Sequence, residues 1–194
     1  SQMLAGCFFF KIIVDGELEY ILLSHSSSEE AYMVGQMAAC QIRTLIVSKS
    51  EEFDRNVFIQ NLLLGNMLTI DMFSKAKKLH IEAKPRVTFV IDTGNKSTDI
   101  ILELVKNLSD LRAGDFVTTV DEHSVVLVKD VSGYAKNYVQ KENELEAELE
   151  SIAMSLVDSL HMEAMIKVRV GYGNMVTEIS DIAQSFQEAK MALQ

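Results

Sequence analysis

The side chains able to do chemistry are few and scattered. Asp92 closes the apolar run Val87–Ile91, and Asp121, Glu122 and His123 follow Val120 between two further apolar segments. Carboxylates converging from a strand end and a neighbouring turn would suit a divalent cation in phosphoryl transfer, because such a cation wants several oxygen ligands with little freedom. Here Thr93, Gly94 and Asn95 follow Asp92 without a second carboxylate, so one aspartate with Glu122 makes a poor cage. The histidines, His25, His80, His123 and His161, include no pair at the four-residue helical spacing of a zinc site. His161 reads as a residue compensating a helix C-terminus. Gly171-Tyr172-Gly173 is not a GxGxxG fingerprint, and the next helix starts several residues later, too far for its free N–H groups to cradle a phosphate. No Ser-His-Asp arrangement follows from spacing. Cys7 and Cys40 lack CxxC spacing and a neighbouring histidine cluster, so buried, reduced thiols are expected. The residues therefore predict no catalytic, cofactor-binding or metal-ligating set, and they do not show which side chains would bind a ligand.

The elements that must position these groups are built from an apolar, acidic chain. Hydrophobic residues make up 48% of the 194, and the formal net charge is −10 with a pI near 4.9. Such a protein repels phosphate backbones unless a local basic face overrides the total. The one notable basic cluster, Lys75, Lys77, Lys78, His80 and Lys84, reads as a solvated helix face. The acidic run Glu142, Glu144, Glu146, Glu148 and Glu150 reads the same way at a helix start. For the ten methionines, Met33, Met37, Met67, Met72, Met154, Met162 and Met165 among them, core packing is the default, with a methionine-rich adaptable interface as the alternative. A single proline and nine glycines argue for long regular elements. No apolar run approaches the roughly 18 residues of a membrane span. The opening residues lack a basic leader, and Ser1 is not a natural initiator, so the chain reads as an internal piece of a larger cytoplasmic protein.

Cys7–Asp15 is β-prone, Asp15-Gly16 is a hairpin signal, and Leu18–Ser24 returns. Ser26–Ser28 before Glu29 and Glu30 predicts a helix start, and an apolar stripe continues without proline to Leu64. Ser48 or Ser50 could cap a fresh helix, since Ser48 with Glu51 has capping-box spacing, so the connecting helix is expected to be continuous or kinked. A helix over Thr69–Leu79, a buried strand at Arg86–Gly94 and an amphipathic helix over Ser97–Leu111 follow. Phe116–Val120 and Val125–Val128 flank a polar turn, Tyr134–Leu160 forms a long helix, and Val168–Tyr172 alternates like a strand. Gly171 and Gly173 are expected to permit a turn, after which a helix begins near Glu178 with Ser180 and Asp181 at its start. The resulting order, β-α-β-β-α-β-α, predicts an α+β, ferredoxin-like sheet with helices mainly on one face.

The wording of the last unit is more specific than its periodicity. RVGYGNMVTEISDIAQSFQEAKMAL resembles the closing strand and helix of the GGDEF-like domain in bacterial PucR/CdaR-type transcription regulators. Gly171, Gly173, Ser185, Phe186, Glu188, Ala189, Ala192 and Leu193 stand at the positions of that family's glycine-x-glycine and S-[FY]-x-E-A-x-x-A-L signature. Phe53–Met67 looks like the helical segment entering the same domain, so the resemblance spans about Phe53 to Gln194. It implies a GGDEF/cyclase-like core at residues 85–194 and a helical connector at 49–84, while the β-hairpin followed by a long exit helix at 1–48 separately resembles the end of a GAF-like sensory domain. In active relatives, glycines at the tip of the central hairpin admit guanine nucleotide and carboxylates hold two metals. Here Val120, Asp121, Glu122 and His123 stand where G-G-D-E should, and only Asp92 survives near the first strand's acidic position, so the cyclase core looks degenerate.

The resemblance thus implies a metabolite-responsive regulator, its effector a sugar diacid, a purine intermediate or another small molecule. It would meet DNA only through a helix-turn-helix domain beyond this chain. A non-catalytic nucleotide-binding domain and a plain oligomerisation module are the alternatives. The connector has more apolar positions than one helix face needs, which predicts a homodimer, with Leu45 and Phe58 as candidate contacts.

Overall fold

The apolar runs Val87–Ile91 and Val125–Val128 form adjacent strands at the centre of a four-stranded sheet. The computed structural model describes residues 2–4, 6–26, 28–94, 96–108, 111–112, 114–135 and 142–194. By its internal contacts the chain divides into two units, residues 1–54 and Arg55–Gln194.

In the first unit, β1 (Gln2–Leu4), β2 (Cys7–Val14) and β3 (Glu17–Ser24) form an antiparallel sheet in that order. The sequence reading did not foresee β1. Asp15 and Gly16 join β2 to β3 with φ of 51° and 87°, the two left-handed residues of a tight hairpin. α1 (Glu29–Leu63) follows as one continuous 35-residue helix, with no restart at Ser48 or Ser50. Ser28 Oγ accepts the Ala31 N–H at 3.2 Å, and Glu29 and Glu30 occupy the positive end of the helix dipole. Phe8 and Phe10 pack on Tyr32, with ring centroids 5.2 and 5.7 Å apart, so aromatic contacts join β2 to α1.

The second unit contains the end of α1, α2 (Thr69–Lys78), β4 (Arg86–Asp92), α3 (Thr98–Asn107), β5 (Phe116–Asp121), β6 (Ser124–Asp130), the single turn α4 (Ser132–Ala135), α5 (Glu142–Ala164), β7 (Arg169–Tyr172) and α6 (Ile182–Ala192). The sheet order is β5-β6-β4-β7, with every neighbour antiparallel. The alternation of a strand sends Val87, Phe89, Ile91, Val125 and Leu127 to one face, where α3 and α5 cover them. Val90, Val126 and Val128 point the other way, onto Phe58, Ile59, Leu62 and Leu63 of α1, Met72 and Ala76 of α2, and Ile182 and Phe186 of α6.

Helices thus cover both faces, not mainly one. The reason lies in β4 and β6, whose apolar residues occupy odd and even positions alike and so demand cover on both sides. Two helix ends also differ from expectation. α3 stops at Asn107 because Leu108 takes up an extended backbone. Tyr134 lies in the separate turn α4 while α5 runs on to Ala164, and the expected helical stretch 136–141 lies outside the described residues.

Candidate functional site

Asp92, the acidic position singled out at the end of the first strand, is engaged in an ion pair. β4 ends at Asp92, between Ser124 of β6 on one side and Arg169 of β7 on the other. The Arg169 guanidinium donates to Asp92 Oδ2 through both Nε, at 3.2 Å, and Nη2, and its Nη1 reaches the Leu193 carbonyl at 3.0 Å. Asp92 Oδ1 accepts the Gly94 N–H at 2.9 Å. The Gly94 amide first, then Arg169, hold the Asp92 carboxyl below the usual range. A carboxylate whose two oxygens are committed to an amide and a guanidinium has little charge left for a cation.

The hairpin tip beside it closes without glycine. Glu122 and His123 form the two-residue turn between β5 and β6, and neither has positive φ. Asp121 Oδ1 accepts the His123 N–H at 3.0 Å, so this carboxylate shapes its own turn. Val120 is the extra residue of a bulge between Thr119 and Asp121. The buried Thr93 ties the tip to the end of β4: its N–H and Oγ1 both donate to the His123 carbonyl, at 2.9 and 3.1 Å. Asp92 and the tip therefore adjoin, as the resemblance implied, but as a cross-linked strand end. Among the described residues, no group of three or more His, Cys, Asp or Glu could hold a metal ion.

The signature residues of the last strand and helix build a joint. A Cβ on Gly173 would lie 1.9 Å from the Ser185 carbonyl oxygen, and one on Gly171 would lie 2.6 Å from that of Ala189. Both glycines have ordinary negative φ, so they serve the close approach of α6 rather than the turn expected of them. The Ser185 side chain then fills a gap in the sheet: its Oγ accepts the Thr88 N–H at 3.1 Å and donates to the Asn174 carbonyl at 2.8 Å. Glu188 Oε2 accepts the Asn174 N–H at 2.8 Å, which holds this carboxyl below its usual range, while Phe186 and Ala189 lie in the core. The expected caps at Ser180 and Asp181 are not used; Ser180 Oγ donates to Asp181 and no side chain caps the helix.

A buried polar cluster went unforeseen. Asp115 Oδ2 accepts from Lys129 Nζ at 3.2 Å and from the Arg112 N–H at 2.9 Å, and its Oδ1 accepts the Asp130 N–H at 2.7 Å. The Lys129 and Asp115 side chains are 5% and 1% exposed. Lys129, Arg112 and Tyr134 line a cleft of about 530 Å³ together with Ser151, Ser155 and Ser159 of α5. On the opposite face Arg86 lies over the Phe116 ring and donates to the Glu82 carbonyl; burial pushes its pKa down against the pull of Asp130, Asp115 and Glu82. The only sequence signal was Lys129-Asp130 ending the apolar run of β6.

The remaining candidates separate by burial. Leu45 is 64% exposed, whereas Phe58 is 3% exposed inside the core of its own unit and offers nothing to a second chain. Cys40 is exposed, not buried, and Cys7 is half-buried with its Sγ 3.7 Å from His25 Nδ1. Met72 packs in the core as expected, but Met33, Met37, Met154, Met162 and Met165 are exposed. Among the described residues no helix is long and apolar enough to cross a membrane.

With this geometry in place, the comparisons are narrow. The family model described as GGDEF-like domain matches residues 65–194. No curated protein and no solved structure matches the chain.

Proposed function

The chain belongs to the GGDEF-like domain family, and from that premise we propose that it is a non-catalytic relay of a metabolite-responsive transcription regulator of the PucR/CdaR type. In this reading the Arg55–Gln194 unit keeps the cyclase scaffold without its chemistry. From first strand to last in that unit the spatial order is 4-1-3-2, which supports a ferredoxin-like sheet. The hairpin, the added strand β1 and the start of α1 are read as the end of a GAF-like sensory domain. The signal would pass along α1, the continuous helix that leaves the first unit and enters the second. The regulator would act as a cytoplasmic homodimer, bind its small-molecule effector elsewhere, and reach DNA through a domain outside residues 1–194.

One observation carries the loss of turnover. The single surviving acidic position, Asp92, is held by Arg169, and the adjoining tip closes as Glu122-His123 with no glycine to let a nucleotide approach its backbone. Metal-assisted phosphoryl transfer needs carboxylate oxygens free to bind the ion and a backbone that admits the base. Incubation with GTP and Mg²⁺ or Mn²⁺, followed by chromatography, is expected to yield no cyclic dinucleotide. Steady product formation that Asp92→Ala abolishes would overturn the reading.

A further inference from the structure

The first half of α1 carries an uncharged face that its own unit leaves uncovered. Gly35, Ile42 and Ile46 turn toward the side that packs in the unit, where a Cβ on Gly35 would lie 2.3 Å from the Phe10 ring. About half a turn round the helix, Met33, Met37, Cys40, Thr44 and Val47 follow one another at steps of four, three, four and three. Met33 and Met37 are 54% and 64% exposed, Cys40 and Thr44 are exposed, and Val47 is half-buried. The Thr44 hydroxyl already donates to the Cys40 carbonyl at 3.1 Å, so that position needs no outside partner for its hydrogen. Charge resumes on either side of the stripe, with Glu29 and Glu30 before it and Lys49, Glu51 and Glu52 after it.

We infer that this stripe is the seam of a parallel, two-fold pair of α1 helices from two copies of the chain, with Cys40 facing the partner's Cys40. The inference rests on the dimeric relay proposed above and supplies its contact. A two-fold seam sets each residue against itself, so a charge on it would meet its like, and this stripe has none. The flanks agree with a parallel pair. Five residues apart, Gln36 comes opposite the partner's Gln41 and Arg43 opposite the partner's Ser48, so no like charges meet. Leu45 lies one position beyond Thr44, off the seam, and is not the central contact.

The size of the stripe sets the strength. From Met33 to Ser48 the helix rises roughly 24 Å at 1.5 Å per residue, and a helix is about 10 Å wide. That footprint falls well short of the roughly 800 Å² per partner of a standard stable interface. The pair is therefore weak and reversible through this contact alone, which suits an element that a signal must shift.

The test uses the whole chain with Cys7→Ser, leaving Cys40 as its one thiol, and a short bis-maleimide that joins two thiols. Cross-linked dimer is expected, and Met37→Glu should reduce its yield at least tenfold while Ile70→Glu, on exposed α2, leaves it unchanged. Moving the thiol with Met33→Cys in a Cys7→Ser, Cys40→Ser background should also cross-link; an antiparallel pair centred on Cys40 would not, and that result would overturn the parallel seam. Dimer by light scattering without any Cys40 cross-link, or insensitive to Met37→Glu, would sink the seam and spare the dimeric relay. Monomer at every concentration, with no cross-link, would sink both. Circular dichroism of each variant excludes unfolding as the cause.

Discussion

Replacing Gly173 by alanine should be among the most damaging single-methyl changes the second unit can suffer. The added Cβ would lie 1.9 Å from the Ser185 oxygen, 2.7 Å from its carbonyl carbon and 2.9 Å from its Cα. These are backbone atoms of α6, so no side-chain rotation relieves them. An ordinary C···O contact is about 3.3 Å, so α6 must retreat by roughly 1.4 Å. Such a retreat breaks the Ser185 Oγ bonds to the Thr88 N–H, now 3.1 Å, and to the Asn174 carbonyl, now 2.8 Å. Overpacking costs about 1–3 kcal/mol. Leaving the buried Thr88 amide without a partner adds about 1–3 kcal/mol. Gly173→Ala should therefore lose about 2–6 kcal/mol, and Ser185→Ala, which removes the hydrogen bonds without a clash, about 1–3 kcal/mol. Because the first change already breaks what the second removes, the double variant should lose less than the sum by about 1 kcal/mol or more. Urea unfolding followed by circular dichroism checks all three. A Gly173→Ala loss under about 0.5 kcal/mol, or strict additivity, would refute the account of the joint.

Three further outcomes follow from the same structure. Asp92 has a folded-state pKa below its unfolded value, so its stabilisation is complete above about pH 4 and fades as the pH falls through the lowered folded value; melting temperatures between about pH 5 and pH 2 should fall less steeply for Asp92→Asn than for the parent, and identical acid limbs would contradict this. Asp115→Ala breaks a buried ion pair and removes the acceptor of two backbone N–H groups, so urea unfolding should show a loss of about 3–5 kcal/mol, with Asp115→Asn milder because it keeps an acceptor oxygen; an alanine variant as stable as the parent would contradict it. With a net charge of −10, residues 1–194 alone should give no sequence-specific shift of duplex DNA at physiological salt, and a specific gel shift by this chain would reassign its role.

What was legible in the sequence was what periodicity encodes. The strand expected over Arg86–Gly94, which ends at Asp92, the β5–β6 hairpin and the Asp15-Gly16 turn follow from alternation and turn chemistry, and the structure has them with ends moved by a residue or two. The second helical layer was half visible, because an apolar run such as Val125–Val128 carries no alternation to say that only one face is buried. Arg112, Asp115 and Lys129 left almost no signal, since nothing local distinguishes a buried aspartate at a strand start from a solvated one. Phe58 and Leu45 looked alike in an all-round apolar helix. Only tertiary packing decides that Phe58 lies in a core shared with α2 and α6 while Leu45 stays exposed in its own unit.

The residues that match the family signature cluster in one place, which explains why the family is recognisable from them. Gly171, Gly173, Ser185, Phe186, Glu188 and Ala189 all act in the contact of β7 and α6, as spacers, sheet-gap hydrogen-bonding groups or core. None of them belongs to the hairpin tip or to the end of β4. The demands on the two regions are different in kind. A helix docked at backbone contact tolerates almost no added atom, because interiors pack without spare volume. A two-residue turn accepts any residues that can close it, and Glu122-His123 closes it with neither residue at positive φ. Arg169 connects the two regions, since one guanidinium binds both Asp92 and the Leu193 carbonyl at the end of α6. The carboxylate position that would serve a metal in an active cyclase has here become a tie between β4, β7 and the last helix. Restoring glycines at the tip would therefore leave that carboxylate engaged; removing Arg169 as well would release its Oδ2, while Oδ1 would still accept the Gly94 N–H.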